Sequence, residues 1–278
     1  MTVVIDDPLI ARMSTSQPLP IHESSQRLRE LYPECPRVYG VAVMSDLSRR
    51  RWWPLTDVLT TDRLRGMFDA AATETENRVA VAQQLAATFA HVVIGRVVPL
   101  LVLEGRAWDT GLENLWVHVD SEGAIDWVGV VDPTLRALPD DVEFGEKSRC
   151  RDRIVALPNE AALTTWVAHR SHRSLEPLFA KLVEVSRGAI SSAAMWHVVG
   201  TAVVSAATRV PLLAVCSELT SMRRGQAVLD ALVGFGAPVR GSAGLAAARP
   251  CKIRAALPIL VQEQDDLAPS NHRTAREY

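Results

Sequence analysis

Read along the chain, the hydrophobic positions change period several times. From Leu28 to about Trp53 the segments are short and mixed, broken by Pro33 and Pro36. Thr61-Asp62 predicts a cap before a short helix running through Phe68. The first strong element spans about Glu74 to Leu103, where Val81, Leu85, Phe89 and Val92 fall at helical spacing. Pro99 predicts a kink or restart in its last turn, since proline has no backbone N–H to donate, and Gly105 predicts the stop.

The period then becomes that of strands. Leu115 to Val119 and Ile125 to Val131 are β-branched and aromatic, and Asp120-Ser121-Glu122-Gly123 between them reads as a hairpin link. Asp140 to Arg153 reads as a charged connector. Three helices are expected beyond it: about Asn159 to Arg187, interrupted at Pro177; about Ile190 to Thr208; and about Leu212 to Phe235, stopped by Gly234 and Gly236. The fold class predicted is α+β, mostly α-helical, with one antiparallel hairpin or small sheet in the N-terminal half. The divisions expected are a flexible arm over 1–25, a mixed region over 26–150, a helical region over 151–240 and an irregular tail over 241–278, with a soft boundary near 150.

Composition narrows the class. The 278 residues are 48% hydrophobic and 22% charged, as in ordinary globular chains. Thirty Lys and Arg against 32 Asp and Glu leave a formal charge of −2, so no bulk field draws nucleic acid or an anionic membrane. The four cysteines (Cys35, Cys150, Cys216, Cys251) form no CxxC pair, which removes a zinc knuckle and a disulfide scaffold. The N-terminus carries acids where a signal peptide needs bases, so a cytoplasmic location is expected. Gly188 to Thr208 lacks any charged residue and has the length of a bilayer span, but its Ala, Ser, Thr and central His197 predict a buried core helix and no membrane insertion.

Candidate chemistry centres on two histidines within apolar helices. His91 shares a face with Ala87, Thr88 and Gly95, and His197 with Ala193, Ala194, Gly200 and Thr201. Such small, partly polar faces permit close helix approach, or a ligand pocket in which an imidazole acts as acid or base. Alternatively each is a core histidine held by a hydroxyl or carbonyl. His169 and His172, with Glu176 one turn on, have a spacing that can grip a metal, although Arg170 and Arg173 beside them argue for a solvated face. His118 alternates with Trp116 and reads as a rim residue, and Arg49 to Trp53 reads as a solvated turn or an anion contact. Cys216 in its apolar run reads as an inert hydrophobe. No GxGxxG, GxxxxGK[ST], HExxH or GxSxG occurs.

Several motifs resemble one family. Gly105-Arg106, Asn114 to Asp120 and Gly123 within 97–133, Met195-Trp196 in a small-residue helix, and Gly236 to Gly241 together resemble the ferric-siderophore reductases of the FhuF type, over about residues 75–255. The resemblance implies a cytoplasmic protein that reduces Fe(III) in an imported siderophore through a [2Fe-2S] cluster on four C-terminal cysteines, arranged as an adjacent pair, ten residues, then CxxC. Here, with Cys251 first, the other three positions hold Lys252, Glu263 and Asp266. One thiolate in four does not hold such a cluster. The expectation is therefore the family's scaffold without its redox centre, serving a small molecule with no cofactor. His91 and His197 would be the acid/base pair for a cyclisation, isomerisation or elimination in a specialised biosynthetic pathway, with Trp108, Trp196, Thr88 and Thr201 binding substrate. A reductase with an atypical cofactor, and a non-catalytic protein binding a siderophore or pathway intermediate, are the alternatives.

Overall fold

The computed structural model describes residues 19–31, 38–40, 52–119, 125–141, 144, 153–213 and 217–240. All four cysteines, Arg49–Arg51, the hairpin link, most of the charged connector and the tail from 241 lie outside them. The chain divides into Met1–Gly241 and Ser242–Tyr278, and all that follows concerns the first. The helices are α1 (Pro20–Leu31), α2 (Asp57–Thr60), α3 (Arg63–Thr75), α4 (Arg78–Ala90), α5 (Val97–Glu104), α6 (Glu160–Ser186), α7 (Ser192–Leu213) and α8 (Glu218–Gly234). The strands are β1 (Val38–Gly40), β2 (Trp52–Pro54), β3 (Arg106–Trp108), β4 (Leu115–Val119), β5 (Ile125–Val130), β6 (Leu135–Ala137) and β7 (Ile154–Ala156). The class is α+β and mostly helical, with two small, mainly antiparallel sheets.

The expected hairpin is present as β4 and β5, but it sits inside a four-stranded sheet of order β1-β5-β4-β2. Trp52 and Trp53, expected in a turn, belong to β2 and pair with His118 and Val117. Leu115 and Val117 of β4 face the core, while His118 stacks on Trp127 at 4.7 Å and lies 5.2 Å from Trp52, a half-buried aromatic face rather than an exposed rim. The second sheet, β3-β6-β7, joins residues on both sides of position 150, because β7 adds parallel to β6. The soft boundary there is thus crossed by a sheet and by one continuous core. Residues 20–25, assigned to the loose arm, form the first turns of α1.

Helix ends follow local chemistry. Asn77, Asn159 and Ser217 cap α4, α6 and α8, each side-chain oxygen accepting from the backbone N–H three residues on. Pro177 does not interrupt α6. The carbonyl that it deprives of a donor is that of Arg173, an exposed residue, so the lost bond falls on the solvent side of the helix. The restart near Pro99 takes the form of a π-helical turn, His91–Gly95, after which Pro99 sits in the first turn of α5. Leu212, expected to open the last helix, lies near the end of α7, and α8 begins at Glu218.

Among the described residues only the run Arg78–Glu104 is long and apolar enough to cross a bilayer, and 78% of its apolar window is buried within the fold. The stretch expected to be buried all round, now α7, is two-sided. Met195, Trp196, Val199 and Val203 are buried, whereas Ala193, Ala194, His197, Thr201 and Val204 are exposed. Its small residues serve close approach. A Cβ on Gly200 would stand 2.2 Å from the Val239 carbonyl oxygen, so backbone occupies the side-chain position.

Gly200→Ala is therefore expected to cost about 1–3 kcal/mol, since backbone must move to admit a methyl. Gly234→Ala, whose added Cβ meets nothing within 4 Å, should be neutral or stabilising by up to about 1 kcal/mol through helix propensity. Paired urea denaturation curves of the two variants check this contrast.

Candidate functional site

The histidine pair is not assembled into one site. His197 points to solvent from the outer face of α7, and Thr201 beside it closes its hydroxyl on the His197 carbonyl at 3.0 Å. His91 opens the π-helical turn, and that turn packs on α7. No hydrogen bond, ring contact or ion pair joins the two imidazoles. Burial pushes the His91 imidazole down to about 3, with the Arg96 guanidinium adding to the shift. Near neutral pH it is an uncharged, weakly basic group. Thr88, half-buried, spends its hydroxyl on the Gln84 carbonyl at 2.9 Å.

The two tryptophans assigned to substrate binding are core residues. Trp196 stacks on His172 at 5.2 Å and meets Phe179 edge-on. Trp108 is buried in β3, and its indole Nε1 has no hydrogen-bond partner among the described residues. His169 and His172 turn toward aromatic rings, with His169 at 5.4 Å from Phe235. Burial lowers His172, partly opposed by Glu176. Among the described residues, no three His, Cys, Asp or Glu side chains converge as a metal site would need.

The polar concavity lies elsewhere. A cleft of about 370 Å³ is lined by Arg27 of α1, Glu104 at the end of α5, Arg106 of β3, Leu138, Asp140 and Asp141 of the following turn, and Arg224 of α8. Its geometry starts at Gly105. The chain leaves α5 there with φ +66°, the left-handed turn that glycine adopts without penalty. A Cβ at this residue would stand 3.1 Å from Arg224 Nη2 and 3.0 Å from Leu138, so the absent side chain also leaves room for the guanidinium.

Arg224, buried, donates from Nη1 to the carbonyls of Leu101 and Val102 at 3.3 and 3.2 Å, and Ser221 donates to the same Val102 oxygen. It thereby caps the end of α5, adding to the Gly105 N–H that already reaches the Leu101 carbonyl, where the helix dipole calls for a cation. Its Nε donates to Glu160 at 3.0 Å, and that carboxylate also receives Arg223. Burial opposes ionisation of Glu160, but the hydrogen bonds from Arg223 and Arg224 outweigh it and hold the carboxyl below its ordinary range.

On the opposite wall Arg106, 4% exposed, makes a two-pronged pair with Asp141, 2.6 Å on each side. Its Nη1 donates to the buried Ser24 hydroxyl, which also receives Arg27 and donates to Glu104. Arg27 closes on both oxygens of Glu104 at 2.9 and 3.1 Å, so this network pins α1 to the α5–β3 turn.

None of these cleft residues was singled out for chemistry from the sequence apart from Gly105-Arg106, noted only for its resemblance. One signal was available. Arg224 falls in register with Ser221, Val228 and Leu232, on the buried stripe of α8, where an arginine must have partners. Asn114, another carrier of the resemblance, bridges the Asp109 carbonyl at 2.8 Å and the Asp132 N–H at 2.6 Å, tying the loop before β4 to the one after β5. Comparisons with protein-family models, with curated proteins and with solved structures find no match.

The depressed imidazole has a consequence for stability. The folded-state value of His91 lies below its unfolded value, so the native chain holds fewer protons than the unfolded chain between pH 6.5 and about 3. Acidification through that window is expected to destabilise the fold, by a few kcal/mol at most from this residue. His91→Gln should flatten the acid limb of a plot of unfolding free energy against pH. An unchanged limb would assign the acid sensitivity to other groups.

Proposed function

We propose that this chain is a cytoplasmic protein that binds a small metabolite without chemically changing it, on a scaffold like that of the ferric-siderophore reductases. The arginine-lined cleft is its ligand seat. The observation that carries this reading is the cleft itself: six of its seven described lining side chains are charged, its walls are fixed by bidentate ion pairs, and Arg106 of the Gly105-Arg106 pair that carries the resemblance lines it. The ion pairs hold the walls in place, and the guanidinium donors they leave unused suit a carboxylate, with little reordering on binding. No step is derived through an iron-sulfur cluster, since the chain supplies one cysteine where the resemblance implies four.

A cofactor-free acid/base enzyme on the same scaffold is the second reading. One observation favours it: a desolvated, uncharged imidazole, that of His91, in a π-helical turn, a distortion common at functional sites.

Calorimetric titration of the full chain with citrate, and with desferrioxamine free and iron-loaded, tests the binding reading. Saturable one-to-one binding of at least one probe, with the probe recovered unaltered, is the expected result. Arg106→Ala should weaken it about tenfold or more by unpairing Asp141 in the wall. No binding of any probe would sink the reading. Product formation abolished by His91→Ala would move the chain to the enzymes. Stoichiometric iron and acid-labile sulfide in protein purified without oxygen would move it to the reductases.

A further inference from the structure

We infer that the ligand taken by this cleft is a small zwitterion, an amino-carboxylate whose carboxylate meets Arg224 and whose ammonium faces Asp140. The inference rests on the reading of the cleft as the ligand seat and adds to it the ligand's charge pattern.

The argument is one of which groups are already committed. Arg106 engages all three of its nitrogens with Asp141 and Ser24, and Arg27 is held by Glu104 and Ser24. In Arg224, Nε and Nη1 are engaged by Glu160 and two carbonyls, whereas Nη2 makes no hydrogen bond among the described residues. That nitrogen lies beside the bare Cα of Gly105, and Arg224 lines the cleft. Glu160 is also a single carboxylate serving two arginines, with Arg223 on it at 3.0 and 3.2 Å, so this wall keeps a surplus positive charge.

The complementary surplus lies across the turn after β6. Asp140 lines the cleft, is exposed, and has no ion pair among the described residues, while its neighbour Asp141 is paired with Arg106. The lining arginines and carboxylates are equal in number, three of each, so the cleft is close to neutral overall yet polarised between Arg224 and Asp140. A plain anion gains Arg224 but meets Asp140, and a plain cation meets the reverse. A molecule carrying both charges satisfies both ends, which is how charge complementarity selects one partner class over another. The cleft volume suits a ligand the size of a single amino acid or a short aminoacyl group.

The test titrates the full chain with three compounds that share one aliphatic tail: norvaline, pentanoate and butylamine. Citrate is titrated beside them. Norvaline is expected to bind about tenfold tighter than either single-charge analogue, as two charge-assisted contacts exceed one. Asp140→Asn, an exposed change that leaves the core intact, should weaken norvaline about tenfold and leave pentanoate equal or tighter. Arg224→Lys should weaken both. Pentanoate binding as tightly as norvaline, or norvaline binding unaffected by Asp140→Asn, overturns the inference. Citrate binding with no binding of norvaline overturns it while leaving the cleft as ligand seat; silence from all four compounds overturns it too, and silence from desferrioxamine as well removes the reading of the cleft with it.

Discussion

The end of α5 is buried, and most of the polar architecture answers that one constraint. An apolar helix that stops inside a protein leaves carbonyl oxygens with no donor and a negative dipole end with no counter-charge. Here the donors come from α8, through Ser221 and Arg224. Burying a guanidinium brings in turn the need for a carboxylate, met by Glu160 in the first turn of α6. Gly105 must lack a side chain for the guanidinium to fit. Three helices and a turn are thus fixed by one unsatisfied helix end.

The same site holds α1. Glu104, the last residue of α5, takes both prongs of Arg27 and the hydroxyl of Ser24, and Arg106 two residues later reaches Ser24 and Asp141. Removing one partner from such a network leaves its neighbours as buried, unpaired charge, which costs far more than a surface ion pair is worth. The cleft is what remains among side chains held this firmly. One arginine, Arg224, both caps α5 and lines the cleft, and its Nη2 is not used by the capping role.

The histidines show the converse. A small polar face around a histidine is equally suited to a ligand pocket, to close helix packing or to solvent, and the fold used the last two. Gly200 admits the Val239 carbonyl, and His197 one turn away faces water. His91 went inward, where desolvation keeps it uncharged. Periodicity gives the phase of each helix, but not which of two weakly apolar faces another element covers.

The chain's own pattern was enough for the α+β class, the β4–β5 hairpin, the helix start near Asn159, the stop at Gly105 and the restart near Pro99, because each depends on backbone chemistry acting over a few residues. It was not enough for β2, β3, β6 and β7, three-residue strands that exist only through partners distant in sequence, nor for α6 running straight through Pro177. Least legible was the cleft. Its residues come from positions 27, 104, 106, 138, 140, 141 and 224, and in linear order all but Leu138 look like ordinary surface charges. What makes them a site is burial and pairing across nearly 200 positions, which tertiary contact alone creates.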